Sequence, residues 1–298
     1  MFKNKIYALV IIAIFIILSF LPVVSSLERK IENNNITVEK WVVLICGGAS
    51  DSTSLFYADS KPLRKATNHA YDTFKNLGYD DDHIFYLHDR NNTLEGVDGV
   101  VNKTMFNYSL NQWLLVNSDE NDECCFYFVG HGSKDKSIVV YNYDLEKYER
   151  IYDYELAEMI EKINYSKFTI VIDSCHSGGF INSLSKNNRV IITSTSHLLW
   201  SYGLNESIFS YHFLNKLVEN VSYGKAWEYA DKQLLNLETP DISDTPLILR
   251  IFIKICISFF ENPKIDDNGD GKGHGRLLHA DNLPIRKDGN LALETYPR

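Results

Sequence analysis

The sequence predicts an α/β protein with a mostly parallel sheet and helices on both faces of that sheet. Short, continuously apolar segments, typical of buried parallel strands, alternate along the chain with segments whose apolar residues recur at helical spacing. Such an alternation is typical of strands connected by crossover helices. The chain has 298 residues, 45% of them apolar and 23% charged, which suits one large domain or two small ones.

The predicted elements can be placed in order from residue 41. Apolar runs predict five strands, at 41–46, 84–87, 124–129, 168–172 and 189–193. Apolar residues at helical spacing predict five helices, near 63–77, 106–114, 156–163, 208–218 and 223–235. Asp153 is expected to cap the third helix, and residues 138–141 are expected to form a small hairpin.

The N-terminus has the pattern of an export signal. Lys3 and Lys5 precede an apolar run over residues 6–24, and small residues at 24–26 offer a cleavage site. An uncleaved anchor is the alternative, because about 19 apolar residues can just span a bilayer. Both interpretations place the rest of the chain outside the cytoplasm, so the sequence predicts a secreted protein that contacts a membrane only if this segment is retained.

These patterns give four predicted regions. They are a signal peptide or anchor at 1–26, a polar linker at 27–39, the α/β domain at 40–238 and a C-terminal extension at 239–298. Within the extension, residues 246–260 are apolar but interrupted by Arg250 and Lys254, which favours a buried strand or helix over a membrane span. The formal net charge of −9 excludes nucleic acid as a partner, because binding phosphates requires a basic surface.

One histidine and one cysteine follow predicted strands directly. His131 lies between Gly130 and Gly132 after the third strand, and Cys175 follows the fourth strand and precedes a glycine-containing turn. Function gathers at the carboxyl ends of strands in parallel sheets, so we expect His131 to face Cys175 and to take the thiol proton. The amide N–H groups of Gly132 and Cys175 are the expected oxyanion donors. Taken singly, the cysteine is more often a small buried side chain and the histidine a turn residue, but together they favour nucleophilic catalysis.

Residues 126–133 and 170–179 resemble the His-Gly and Cys boxes of clan CD cysteine peptidases, which include caspases, metacaspases and legumain. The fuller resemblance, over residues 40–235, is to the legumain (hemoglobinase, asparaginyl endopeptidase) family, and it adds residues 41–48, 66–71 and 78–84. It implies a caspase-like (caspase-hemoglobinase) fold and a cysteine endopeptidase that acts on polypeptides and requires no cofactor. His131 would be the general base and Cys175 the nucleophile.

The same resemblance suggests which residues bind substrate. Asp173 lies where the clan places the floor of the S1 pocket, and the string Asp-x-Cys-His-Ser-Gly is most similar to metacaspases. A buried carboxylate there would favour Arg, Lys or Asn at P1, although an ordinary capping carboxylate is the alternative. Ser194 and Ser196 follow the fifth strand, where clan members build a pocket wall and bind the substrate backbone.

The sequence departs from legumains in the loop after the first strand. Legumains carry an Asn and then an Arg there, whereas residues 47–54 of this chain contain neither. Asp51 or Ser50 is the candidate replacement for a third catalytic residue. His176, beside the nucleophile, is expected to face solvent or to tune the site rather than to act as the base.

The C-terminal extension contains the beginning of a calcium-loop pattern. Asp266, Asn268 and Asp270 alternate as oxygen ligands, and Gly271 occupies the sixth position. The twelfth position is Leu277 instead of Glu, so a solvated acidic turn is the alternative. Calcium is the only metal that the sequence suggests.

Two further functions remain open at this stage. A transpeptidase or transamidase would use the same acyl-enzyme but transfer it to an amine instead of water. A catalytically silent, calcium-dependent binding module would use the scaffold without the chemistry, although it would have no need for both His131 and Cys175.

Overall fold

The computed structural model describes residues 37–49, 60–89, 95–201, 206–235, 251, 261–275 and 289–298. The chain divides into two units, Met1–Val38 and Glu39–Arg298. The predicted export signal lies outside the described residues, as do Ser50, Asp51 and all of residues 246–260 except 251. Within the described ranges, no helix combines the length and the apolar character that crossing a bilayer would need. All elements below belong to the second unit.

The second unit contains a seven-stranded sheet and a smaller three-stranded sheet. The strands of the large sheet are β1 (Lys40–Cys46), β2 (Ile84–His88), β3 (Val97–Val100), β4 (Glu123–Val129), β8 (Lys167–Asp173), β9 (Arg189–Thr193) and β10 (Lys264–Asp266). The small antiparallel sheet contains β5 (His131–Ser133), β6 (Ser137–Asn142) and β7 (Lys147–Tyr152).

The order of the large sheet is β10-β9-β8-β4-β1-β2-β3. All neighbours are parallel except β10, which runs antiparallel to β9 at one edge. The five predicted strands are confirmed, and the predicted hairpin is confirmed as β6 and β7. The sequence did not predict the two edge strands, β3 and β10, which have only four and three residues and therefore carry little periodic signal.

Helices flank the large sheet at the five predicted places, and two short helices that the sequence did not predict, 181–184 and 291–294, accompany them. They are α1 (Lys61–Asn76), α2 (Lys103–Tyr108, continued by a π-helical segment Ser109–Leu114 and a last turn Leu115–Asn117), α3 (Asp153–Glu161), α4 (Ile181–Leu184), α5 (Ile208–Leu217), α6 (Tyr223–Leu235) and α7 (Leu291–Glu294). Asp153 is the first residue of α3 rather than its cap. The preceding residue, Tyr152, donates its amide to the carboxylate of Glu155 at 2.9 Å.

Both faces of the large sheet are buried, which explains the continuously apolar strands. Successive residues of a strand point to opposite faces. In β1, Val42 and Leu44 pack into the core beneath α1, α5 and α6, whereas Val43 and Ile45 pack into the core beneath α2 and α3. This arrangement is a mostly parallel sheet with helices on both faces, so the predicted fold class is confirmed.

The end of the chain is packed at the amino ends of the strands. The Lys40 Nζ donates to the Tyr296 carbonyl at 2.8 Å, and the Tyr79 hydroxyl donates to the Pro297 carbonyl at 2.5 Å. Since β10 also belongs to the large sheet, parts of the predicted extension at 239–298 contribute to the same compact unit. The last residues therefore lie at the amino ends of the strands, away from the carboxyl ends of β4 and β8.

Candidate active site

The register between β4 and β8 brings His131 and Cys175 together. The strands are parallel, and Val129 is paired with Asp173 as the last pair of the ladder. The Gly130 amide then donates to the Asp173 carbonyl at 3.1 Å, which extends the pairing by one residue. His131 and Cys175 each follow the last pair by two positions. The two residues therefore leave neighbouring strands at the same edge, as expected from the sequence.

Gly132 lies directly against the backbone of Cys175. A Cβ atom placed on Gly132 would be only 2.0 Å from the Cys175 carbonyl oxygen and 2.7 Å from the Ser174 hydroxyl. Glycine is the one residue that allows this approach, because any side chain would overlap a backbone atom. The predicted oxyanion donors, Gly132 and Cys175, are therefore immediate neighbours.

The chain turns sharply after Cys175. His176 has φ 59° and ψ 17°, which is the left-handed region that non-glycine residues rarely adopt. Its side chain is buried, and its Nδ1 lies 3.1 Å from the carbonyl oxygen of His197. Burial lowers the pKa of His176. The expectation that His176 faces solvent was wrong, because the left-handed turn directs its ring under the following loop.

A loop at 194–201 holds the nucleophile turn in place. The His176 amide donates to the Leu199 carbonyl at 2.8 Å, and the Gly178 amide donates to the Thr195 carbonyl at 3.0 Å. Because these amides are bonded to the loop, the turn and the loop form one connected structure. The amides of His176 and Gly178 thus fix the shape of the site.

The predicted substrate-binding serines occupy different environments in this loop. Ser194 is fully buried, and its hydroxyl donates to the Ser174 carbonyl at 3.4 Å. Ser196 is half-buried. Two large apolar side chains of the same loop are exposed, Leu198 at 64% and Trp200 at 51%. The loop that bonds to the nucleophile turn therefore exposes apolar side chains.

Asp173 is buried and is surrounded by serine hydroxyls. Its Oδ1 accepts from the Ser201 hydroxyl at 3.0 Å. Its Oδ2 accepts from the Ser207 hydroxyl, from the Ser210 hydroxyl at 2.5 Å and from the Ser210 amide at 3.3 Å. Four donors stabilise the ionised carboxylate, but none of them carries a positive charge. A buried anion of this kind can accept a cation from a ligand.

Sequence reasoning missed the three serines around Asp173. Ser207 immediately precedes α5 and Ser210 lies in its first turn, so both come from an element that the sequence predicted. Their partner could not be inferred, because the contact joins positions far apart in sequence. The Tyr127 hydroxyl supports the arrangement from β4 by donating to the Ser210 hydroxyl at 3.0 Å.

Burial keeps both proposed catalytic groups neutral. It raises the pKa of the Cys175 thiol, and the charges of Asp173 and Glu261 raise it further, against the opposing effect of a backbone hydrogen bond at Ser201. Burial lowers the pKa of His131 to about 4. At neutral pH the site therefore holds a thiol and an uncharged imidazole, which can accept a proton.

Direct titration tests this electrostatic description. We expect the His131 imidazole to titrate near pH 4 in an NMR experiment, with His131→Asn as the assignment control. Iodoacetamide should alkylate Cys175 with a midpoint above the ordinary range of a thiol. The folded state disfavours the charged imidazole, so stability should fall as pH drops from about 6.5 towards about 4, by up to about 3 kcal/mol. A His131 pKa near 6.5, or a Cys175 midpoint well below 9, would contradict the description.

A second buried polar cluster lies at the carboxyl end of β2. The Arg64 Nε lies 2.7 Å from Asp89, which is fully buried and also contacts His88 at 3.0 Å. Burial alone would raise the pKa of Asp89, but hydrogen bonds from His88 and Arg64 outweigh it and lower that pKa. Arg64 is thus committed to an internal ion pair.

The acidic loop after β10 bonds to its own backbone. The Asp266 carboxylate accepts from the Gly269 amide at 3.0 Å and from the Gly271 amide at 3.1 Å, and the Asn268 side chain accepts from the Asp270 amide at 2.9 Å. In the part of the chain that the structure describes, no group of three or more His, Cys, Asp or Glu could hold a metal ion. The calcium site stays a prediction.

Two comparisons with known proteins give matches, one in sequence and one in fold. Residues 105–223 match the sequence model of the Peptidase C13 family, and that segment contains His131, Gly132, Asp173 and Cys175. The fold is similar to the crystal structure of caspase-1 from Spodoptera frugiperda, with a TM-score of 0.50 and 10% sequence identity, over 79% of this chain and 89% of that chain. A comparison with curated protein sequences gives no match. The chain thus has a caspase-like fold, and the family match together with that fold supports a cysteine peptidase.

Proposed function

We propose that this chain is a secreted cysteine endopeptidase that cleaves after basic residues, with Cys175 as nucleophile and His131 as general base. The observation that carries the proposal is the close approach of the His131–Gly132 backbone to the backbone of Cys175, at the carboxyl ends of paired strands. The similarity to Peptidase C13 over the same segment supports the class of reaction.

The neutral Cys175 thiol and the uncharged His131 imidazole determine how the reaction would begin. The Cys175 sulfur attacks the carbonyl carbon of the scissile peptide bond while its proton passes to His131. The C–N bond then breaks, and His131 returns the proton to the leaving amine. The product is a thioester on Cys175. Water, deprotonated by His131, attacks the thioester to release a carboxylic acid and regenerate the thiol.

The developing oxyanion needs donors that are already in place. The amides of His176 and Gly178 donate to the loop at 194–201, so they are engaged in the resting structure. We assign the role to the amides of Gly132 and Cys175, whose backbones are in contact. Such donors cost no reorganisation when the charge appears, because Gly132 lies in β5 and Cys175 closely follows the end of β8.

Asp173 is the feature that supports a basic P1 residue. Its carboxylate is buried close to the nucleophile and receives bonds only from neutral donors among the described residues. A guanidinium or ammonium would neutralise it, whereas the amide of a P1 Asn could donate hydrogen bonds but would leave the charge unpaired. We therefore expect P1 Arg or Lys to be preferred over Asn.

Two acyloxymethyl-ketone probes, one with P1 Arg and one with P1 Asn, test this proposal. We expect the Arg probe to label the protein faster, with mass spectrometry locating the label on Cys175. In Asp173→Asn the preference for the Arg probe should fall at least about tenfold, because a charged pair becomes a neutral hydrogen bond. Faster labelling by the Asn probe would contradict the assigned P1 preference. No labelling after attempted acid or proteolytic activation would contradict the peptidase.

Product analysis separates hydrolysis from the alternative acceptors. Incubation with a P1 Arg peptide and an added amine nucleophile should give the free carboxylic acid as the main product. A dominant amide product would instead identify a transpeptidase or transamidase. Repeating the reaction with added calcium and with chelator tests the predicted site at Asp266, Asn268 and Asp270, and we expect no calcium requirement for the chemical step.

A further inference from the structure

Ser201 contacts both the nucleophile and the proposed specificity residue. Its backbone carbonyl accepts a hydrogen bond from the Cys175 thiol, with 3.5 Å between sulfur and oxygen. Its side-chain hydroxyl donates to Oδ1 of Asp173 at 3.0 Å. One half-buried residue therefore joins two groups that would act at different stages of a reaction, one in binding and the other in bond formation.

We infer that Ser201 couples the binding of a basic P1 side chain at Asp173 to the release of the Cys175 thiol. Ser201 is then a positioning residue, since it acts through Cys175 and Asp173. The inference rests on the proposed function. It adds a resting state in which the thiol hydrogen is directed at Ser201 until a basic P1 side chain binds Asp173.

The two oxygens of Asp173 are not equivalent, and this difference points to Ser201. Oδ2 receives three hydrogen bonds, from Ser207 and Ser210, both of which are buried. Oδ1 receives one hydrogen bond among those described, and that bond comes from the half-buried Ser201. An incoming cation would displace the single donor at Oδ1 at a lower cost than the three donors at Oδ2.

Displacement of Ser201 from Asp173 would also affect the thiol. A thiol has one hydrogen, and while this hydrogen is directed at the Ser201 carbonyl it is not directed at His131. When a guanidinium takes the place of the Ser201 hydroxyl at Oδ1, Ser201 loses the side-chain contact that holds it beside the nucleophile. The thiol proton then becomes available to the imidazole.

Alkylation of Cys175 by iodoacetamide measures this coupling without a peptide. In that reaction the sulfur forms a bond to carbon, iodide leaves and the thiol proton passes to a base. We expect saturating methylguanidine, the end of an arginine side chain, to accelerate alkylation about three- to tenfold, the equivalent of one hydrogen bond. N-methylurea, which has a similar shape but no charge, should not accelerate it.

Two serine variants provide the matched comparison. Ser201→Ala should remove most of the acceleration by methylguanidine, because the contact between position 201 and Asp173 is already absent and only the neutralised charge of Asp173 still acts on the thiol. Ser207→Ala removes another donor to Asp173 that does not contact Cys175, so it should keep the acceleration. Circular dichroism and thermal melting of both variants establish that the folded state is intact.

The outcomes separate this inference from the proposed function. Equal acceleration in Ser201→Ala and wild type would overturn the role of Ser201. The same conclusion follows if methylguanidine inhibits cleavage of a P1 Arg peptide competitively but leaves wild-type alkylation unchanged. If methylguanidine has no effect on either reaction and P1 Arg peptides are not cleaved, the assignment of Asp173 as the site for a basic residue fails instead.

Discussion

Cys175→Ala is expected to reduce hydrolysis of a P1 Arg peptide by at least about 10⁴-fold, because it removes the atom that forms the acyl-enzyme. The fold should survive. Among the described residues the sulfur makes one weak hydrogen bond, to the Ser201 carbonyl, and the residue is only half-buried, so the free energy of unfolding should change by less than about 1 kcal/mol. The measurements are steady-state hydrolysis of a fluorogenic peptide and thermal unfolding.

Cys124→Ala is the matched control for this variant. Cys124 is buried near the amino end of β4, far along the strand from Gly130, and its pKa is raised by burial. Loss of its sulfur should lower stability by about 1 kcal/mol or more through the cavity it leaves, while activity at low temperature persists. If Cys175→Ala retained activity within about 100-fold of wild type, another group would have to be the nucleophile.

Gly132→Ala is expected to be nearly as damaging, and for a geometric reason. The new methyl group would lie 2.0 Å from the Cys175 carbonyl oxygen, so one of the two backbones must move. Movement of either backbone displaces a proposed oxyanion donor. We expect kcat/KM to fall by about 10² to 10³, as for the loss of one such donor, and stability to fall by about 1–3 kcal/mol.

Gly179→Ala offers a control close to the same turn. There the nearest atom to an added Cβ is the Lys136 Cγ at 3.2 Å, part of a flexible side chain that can shift. This variant should retain activity within a fewfold of wild type and nearly unchanged thermal stability. Equal losses in Gly132→Ala and Gly179→Ala would show that general crowding, rather than the position of Gly132, determines activity.

The sequence predicted the architecture because both faces of the large sheet are buried. Continuous apolar strands such as 124–129 and 168–172 are unambiguous when strand segments alternate with amphipathic helices. The same reasoning predicted where His131 and Cys175 would meet, since parallel strands bring their carboxyl ends to one edge. The short edge strand β10 was missed, because three residues cannot display a period and its pairing with β9 is set by tertiary packing.

The surroundings of the two catalytic candidates were harder to predict. Ser201, Ser207 and Ser210 contact Asp173 only because α5 and the loop at 194–201 pack over the end of β8. A serine has no periodic or compositional signature for such a role. The left-handed conformation of His176 also depends on the turn in which it lies, and sequence alone left two alternatives for that side chain, facing solvent or tuning the site.

The register that aligns Val129 with Asp173 has a consequence for how mutation and heat would affect this protein. The proposed nucleophile and base are attached to two central strands whose amides should be among the slowest in the molecule to exchange with solvent. Asp173 is the last residue of β8 and shares the rigidity of that strand, whereas Ser201 belongs to a surface loop. Mutations in the loop can therefore alter both the selection of peptides and the position of the turn that carries Cys175, while the strands beneath keep their register. Heat that opens this loop should inactivate the protein before the central sheet itself opens.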